Sequence, residues 1–317
     1  AQGGINGAVN IKGEGDSPEI HFYDTVKGGD FLANQPLCKD MCYHAPFVIY
    51  LLDRLGVPFN RTPEGNLDFR RFGGTLHHRT AFAGATTGQQ LLYALDEQVR
   101  RFETQGLVEK MEWHEYLGAV LDSEGRCVGA TINNLRTGEI RAERGDAVIL
   151  ATGGPGLVYG RSTNSMVCTG TATTSAYLQG AKYGNAEFIQ IHPSAIPGRD
   201  KLRLMSESAR GEGGRVWVPK NPGDERKPRD VPENERFYFL EEKYPRFGNL
   251  VPRDVGAREI YDICINQKLG VHGEMKVYLD LTHKSREFLD DRLGGILEIY
   301  EKFTGVDPRE EPMEIFP

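Results

Sequence analysis

The clearest periodicity in the chain starts at Thr87-Gly88. Leu91, Leu95, Val99 and Phe102 recur at helical spacing, while Glu97, Arg100 and Arg101 fall on the other side. The spacing predicts a helix from Thr87 that Gly106 stops. Residues 107–110 then read as a strand, and residues 116–121, 127–133 and 139–142 as a three-stranded meander. Its turns are Ser123-Glu124-Gly125 and Arg136-Thr137-Gly138. The apolar run 147–152 predicts a buried strand that ends in Gly153-Gly154-Pro155-Gly156. Upstream, Pro46 fits the first turn of a helix running to Leu55, with Gly56 just beyond its C-terminal cap. Residues 1–35 are glycine-rich and read as irregular chain anchored by Phe22, Tyr23, Phe31 and Leu32.

After Gly198 the character changes. Residues 219–232 carry Pro, Gly and charge and predict an exposed excursion. Asp254 is placed to cap a helix through Ile260 and Cys264 to about Leu269; residues 277–281 read as a strand and 287–303 as an amphipathic helix. Strand, helix, strand, meander, then a strand feeding a glycine turn make an α/β layout of the dinucleotide-binding kind, followed by a second, smaller domain. The Gly-x-Gly-x-x-Gly unit of such a layout would have to precede Ala1. No internal repeat is present.

Composition narrows the partners. A net charge of −7 argues against nucleic acid, and no run approaches the roughly 18–20 apolar residues of a membrane span. Cys38, Cys42, Cys127, Cys168 and Cys264 are odd in number and scattered, which fits neither a disulfide framework nor a zinc pattern and suggests a reducing compartment. Cys38 and Cys42 read as buried thiols, and no metal site is expected. The chain opens on AQGGIN with neither Met nor a targeting segment, and reads as an internal piece of a longer protein.

The densest chemistry lies in LMSESARGEGG, from Leu204 to Gly214, with Glu207, Arg210 and Glu212 among serines and glycines. Glu207 and Arg210 stand three apart and would share a face on a turn of helix. Ile189-Gln190-Ile191-His192-Pro193 precedes this stretch and Val251-Pro252-Arg253-Asp254 follows it. A histidine, a carboxylate and two arginines beside Gly or Pro turns suggest a site for a small dianion with proton traffic. The plainer reading is a solvated loop with a surface ion pair. Arg70-Arg71-Phe72-Gly73-Gly74 and His77-His78-Arg79 read as an anion-facing loop, since adjacent histidines diverge and make a poor metal site.

Taken in order, AQGGINGAVN, RRFGG with HHRT, ATGG, IQIHP, SESARGEGG and VPRDVGAR run through nearly the whole chain. Together they resemble the flavoprotein subunit of succinate dehydrogenase or fumarate reductase. NRTPEGNLDFRRFGG, TGQQLLYALDEQVRR and FLEEKYPRFGNLVPRD are most similar to the menaquinone-linked type of Gram-positive and related bacteria. The resemblance implies an α/β, FAD-binding domain of the glutathione-reductase type with an inserted α+β capping domain, both incomplete here. Residues 1–197 would be the FAD domain and 198–317 most of the cap.

By the same resemblance, Ala1, Gln2, Gly3 and Gly4 would lie against the isoalloxazine ring. Ala151, Thr152 and Gly153 would end a strand near the cofactor. Thr171 stands where many relatives have an aspartate that contacts FAD. His192 and Ser206 would bind one substrate carboxylate, and Phe72 would pack on the hydrocarbon middle of the substrate. Arg253 would be the acid–base residue, with Arg210 and Glu207 relaying protons to it. Oxidising succinate to fumarate removes a hydride from one carbon, taken by FAD, and a proton from its neighbour. An arginine acting as base needs a site that penalises its charge; the alternative is that Arg253 only positions and polarises. The histidine that carries covalent FAD in the family would precede Ala1, so this chain does not decide covalent attachment. The fragment alone is expected to be inactive, because the βα unit that holds the cofactor pyrophosphate would precede Ala1 and the family's remaining substrate histidine and arginine would follow Pro317.

The implied partners are succinate or fumarate, an iron–sulfur subunit and a cytochrome b membrane anchor, with the chain on the cytoplasmic face of the membrane. A soluble L-aspartate oxidase is the nearest rival, and Phe72 argues against it because that enzyme needs a polar group to meet an amino group. A non-catalytic flavoprotein scaffold is the other alternative, and the full set of His192, Glu207, Arg210 and Arg253 weighs against it.

Overall fold

The computed structural model describes residues 2–198 and 202–317. The chain forms two compact units: one holds the residues up to Val99 with Gln190–Pro197 and Arg203–Pro317, the other holds Arg100–Ile189.

In the first unit, β1 (Ile5–Asn6), β2 (Phe69–Arg70) and β3 (Thr80–Ala81) make a small antiparallel sheet with β3 in the middle. Helix α1 (Pro18–Gly28) occupies part of the stretch expected to be irregular. Its start is chemically ordinary: Ser17 Oγ accepts from the Ile20 N–H at 3.2 Å, Pro18 follows, and Glu19 lies in the first turn. Helix α2 (Gln35–Arg54) begins a full eleven residues before Pro46, which sits inside it. Pro36 takes the helix-start position instead, and burial of Cys42, Ile49 and Leu52 outweighs the backbone bond that Pro46 cannot make. Gly56, at φ +95°, ends the helix as expected. Ile49 and Leu52 of α2 pack with Val57, Phe59, Leu67, Phe69 and Ala81.

Helix α3 (Thr87–Thr104) stands where the periodicity put it. Its apolar stripe is only partly used: Ala94 is buried, whereas Leu95, Val99 and Phe102 are each more than a third exposed. In the second unit, β4 (His114–Leu121), β5 (Cys127–Asn134) and β6 (Ile140–Arg144) form the expected meander. Helix α4 (Thr171–Leu178) is pinned to β4: Ser175 Oγ donates to the Leu117 C=O at 2.5 Å, and the Gln179 amide both accepts from Ala119 N–H and donates to Ala119 C=O.

Two expected strands are not formed. Residues 107–110 and 147–152 pair with no strand among the described residues, and Ile149 is 88% exposed. All described strand pairs are antiparallel. An apolar run becomes a buried strand only where neighbours offer N–H and C=O groups to it, and none does here.

Back in the first unit, β7 (Ala195–Ile196) pairs with β8 (Arg203–Leu204) and also exchanges two backbone hydrogen bonds with Phe316, at 2.7 and 2.9 Å. The one-turn helix α5 (Ser208–Gly211) follows β8. β9 (Arg215–Pro219), β10 (Arg236–Phe237), β11 (Val277–Asp280) and β12 (Met313–Ile315) form a sheet in the order β10-β9-β11-β12. Between them run α6 (Phe239–Lys243), α7 (Arg253–Tyr261) and α8 (Arg286–Thr304). Leu289, Leu293, Ile296, Leu297 and Tyr300 of α8 meet Val216, Val218, Val277, Leu279, Met313 and Ile315 in the main core. Residues 220–230 stay exposed or half-buried, and Val231 re-enters the interior. Asp254 does not cap α7; it lies in the first turn and pairs with Arg258 at 3.0 Å, and the helix gives way to a π-turn over Asp262–Asn266, short of Leu269.

Candidate functional site

Three segments of the first unit meet at Glu207. The Met205 N–H donates to the Ser194 C=O at 3.0 Å, which lays the chain around His192 alongside the start of α5. Pro252 leaves Arg253 in the first turn of α7. The Phe72-Gly73-Gly74 turn closes the third side: Gly74 N–H donates to the Leu250 C=O at 2.8 Å, and a Cβ on Gly73 would stand 3.2 Å from Glu207 Oε2.

Glu207 Oε1 is the shared atom. It accepts from Arg253 Nε at 2.6 Å and lies 3.1 Å from Arg210 Nη2 and 3.9 Å from His192 Nδ1. The Glu207 and Arg210 side chains are fully buried, whereas Arg253 is 31% exposed and forms the open side of the group. Arg253 Nη1 also donates to Gln190 Oε1 at 2.8 Å, and Arg210 Nη1 to the Asn249 C=O at 2.9 Å. Arg210 Nε and Nη2 are buried without a well-formed hydrogen bond among the described residues. Burial lowers the pKa of Arg210; Glu207 opposes this and the Arg253 charge adds to it.

His192 Nε2 lies 2.7 Å from the Met205 C=O, a contact that only a protonated nitrogen makes well, so Nδ1 carries the lone pair. That Nδ1 is buried and has no hydrogen-bond partner among the described residues. Burial pushes the His192 pKa down to about 4, against the pull of Glu207, and the ring is neutral at pH 7. Ser206 is fully buried; its Oγ donates to Ser208 Oγ at 2.9 Å and accepts from Ser208 N–H at 3.2 Å.

Phe72 packs on the Gln2–Gly4 segment. A Cβ on Gly3 would fall 2.2 Å from the tip of the Phe72 ring, and Gly4 adopts φ +121°. The missing side chains make room for the chain's own atoms: Phe72 lies where a Gly3 side chain would stand, and Ala81 and Thr80 where a Gly4 side chain would. Ala1 lies outside the described residues. Ala151, Thr152 and Gly153 belong to the second unit, where they are exposed and end no strand; Thr171 begins α4, with Oγ1 2.8 Å from Thr169 Oγ1. The anion facing the His78 loop is internal: Glu14 accepts from the His78 N–H at 2.9 Å and lies 2.7 Å from its Nδ1.

Comparisons with known proteins show the family and the fold. The sequence profile described as FAD binding domain matches residues 1–317. The chain belongs to this FAD-binding family. Within it, the chain is 68% identical over 317 residues to the succinate dehydrogenase flavoprotein subunit of Bacillus subtilis, covering all of this chain and 52% of that protein. It is 34% identical over 316 residues to the fumarate reductase flavoprotein subunit of Escherichia coli, covering 98% of this chain and 50% of that one. A solved structure of E. coli quinol fumarate reductase superposes with a TM-score of 0.84 at 32% identity, over 100% of this chain and 52% of that one. The chain thus carries the FAD-binding fold of the succinate dehydrogenase and fumarate reductase flavoproteins and spans about half the length of these relatives. No described helix is long and apolar enough to cross a membrane.

Two residues of this flavoprotein segment lie inside its motifs, yet nothing in the sequence marks them out. Gln190, two before His192, holds Arg253. Arg70, two before Phe72, holds the Gln2–Gly3 backbone. An uncharged amide and a second arginine in a basic pair carry no signal of their own; only the partner they reach distinguishes them.

Proposed function

We propose that the protein containing this chain is a flavoprotein subunit that interconverts succinate and fumarate. The observation that carries the reading is the single Glu207 oxygen held between Arg253 and Arg210, within 3.9 Å of a histidine whose inward nitrogen has no hydrogen-bond partner among the described residues. FAD, when bound, supplies the acceptor for the hydride that leaves one substrate carbon. Arg253, the partly exposed member, takes the proton from the neighbouring carbon and passes it to Glu207, with Arg210 completing the relay. Burial lowers the pKa of Arg210, and the neighbouring Arg253 charge adds to it, so the charge that this site penalises is that of Arg210. His192 and Ser206 bind one carboxylate, and Phe72 covers the hydrocarbon middle. Because His192 Nε2 is committed to Met205, Nδ1 becomes a donor to a carboxylate only by taking up a proton.

Gln2, Gly3, Gly4, Ala151, Thr152, Gly153 and Thr171 are the proposed contacts to FAD, with residues 1–197 as the cofactor domain and 198–317 as most of the cap. Electrons then pass to an iron–sulfur subunit and, through a cytochrome b anchor, to quinone, with the subunit peripheral on the cytoplasmic face. The test is anaerobic bleaching of flavin absorbance in the full-length protein. Succinate, and not aspartate, is expected to bleach it. Bleaching by aspartate would assign an amino-acid oxidase instead, and no bleaching by either a scaffold.

A further inference from the structure

Arg70 on β2 is a buried cation whose hydrogen bonds, among the described residues, all go to backbone carbonyls. It is 2% exposed and lies over the Phe82 ring, 4.1 Å from its centre. Its Nε and Nη2 donate to the Gly3 C=O at 3.0 and 2.6 Å, and Nη2 also reaches the Gln2 and Gly84 C=O groups, each at 3.4 Å. Among the described residues no carboxylate accepts a hydrogen bond from it. The nearest ones act from farther off and are engaged elsewhere: Arg292 reaches Asp68 at 3.3 Å and Glu212 at 3.0 Å, and Lys12 reaches Asp68 at 3.2 Å. Burial lowers the Arg70 pKa to about 10, so it stays charged at neutral pH.

Placing a full charge in the interior to hold carbonyls is costly, and neutral donors hold carbonyls equally well. The positive charge itself therefore asks for a use. The peptides are trans, so the Gly3 C=O and Gly4 N–H point in opposite directions from one peptide, as do the Gln2 C=O and Gly3 N–H from the other. A guanidinium on the carbonyl side polarises both peptides and strengthens the N–H dipoles on the far side. It also fixes Gly3 beneath Phe72, where no side chain fits.

We propose that Arg70 is a positioning residue that holds Gln2–Gly4 as a rigid, electropositive ledge favouring the reduced, more negatively charged state of bound FAD. The inference rests on the reading that this segment lies against the flavin. The experiment is potentiometric titration of the flavin in the full-length, FAD-loaded protein, with Arg70→Met, Arg70→Lys and Gln2→Glu. Arg70→Met keeps the apolar stem over Phe82 and removes the charge; the ratio of reduced to oxidised flavin is expected to fall about tenfold, about 30 mV for a two-electron couple. Arg70→Lys keeps the charge and loses the fork, so the potential is expected to hold while the dicarboxylate KM rises several-fold. Gln2→Glu reports on the placement itself, since a carboxylate beside the flavin also lowers the potential. A shift with Gln2→Glu and none with Arg70→Met overturns the role of Arg70 and leaves the placement standing; no shift with either overturns both. If Arg70→Met does not fold, Arg70→Lys decides alone: a lower Tm with potential and KM unchanged means that Arg70 only braces the fold.

Discussion

At the scale of single residues, the group around Glu207 makes distinct predictions for chemistry and for stability. Arg253→Ala in the full-length enzyme is expected to reduce turnover by about 10²–10⁴ while flavin stays bound, as loss of a proton-transfer group does. Steady-state kinetics beside the flavin spectrum checks this, and near-normal turnover would reject the role. Glu207→Gln keeps shape but cannot carry a proton, so turnover should fall far more than dicarboxylate affinity; a loss of affinity alone would make Glu207 a structural partner of the two arginines. His192 predicts a pH dependence. Its folded pKa is about 4 against an ordinary 6.5, so the unfolded chain takes up a proton that the folded chain refuses. Stability from this group is complete above pH 6.5 and is lost as pH falls towards 4, by about 3 kcal/mol at the limit. Denaturant titrations at pH 7.5 and 5 should show a smaller difference for His192→Gln than for the parent. The charged members of this group were legible in the sequence because their types announce their chemistry. Gln190 and Arg70 were not, because each acts only through the atom it reaches.

At the scale of elements, what could be read depended on where the stabilising partner lies. Local signals sufficed for α3, α8 and the β4–β6 meander, whose turns and periodicity sit in one short stretch. Helix α8 also has its own start signal: Ser285 Oγ accepts from the Phe288 N–H at 3.3 Å. Ser285→Ala is expected to lower stability by about 1 kcal/mol, with calorimetry as the check; an unchanged Tm would mean that solvent satisfies that N–H equally well. Helix α1 has the same signal in Ser17-Pro18-Glu19, hidden among glycines. The failures at 107–110 and 147–152 are of another kind. Apolar composition permits a strand, but only a neighbour makes one, and a neighbour distant in sequence leaves no local trace.

At the scale of the whole molecule, apolar side chains stand in water in both units. Leu37, Met41 and Phe47 on α2 and Ile149, Val167 and Leu178 in the second unit are each more than half exposed. Exposed apolar side chains favour association and dye binding. Expressed as residues 1–317 alone, the chain is therefore expected to bind a hydrophobic dye, to associate, and to retain FAD below one equivalent. Dye fluorescence, light scattering and flavin stoichiometry check this, and a monodisperse, flavin-loaded, succinate-oxidising chain would refute it. The long reach of one contact also sets a timetable. Asp68 meets Arg292 across 224 residues, and at roughly 5–20 residues per second a ribosome needs roughly 10–45 seconds to supply that partner. Until then the strand bearing Arg70 and the turn bearing Phe72 wait for the helix that clamps Asp68 and Glu212 together. The nascent chain thus passes through a period in which the motifs of the candidate site have been synthesised but not secured.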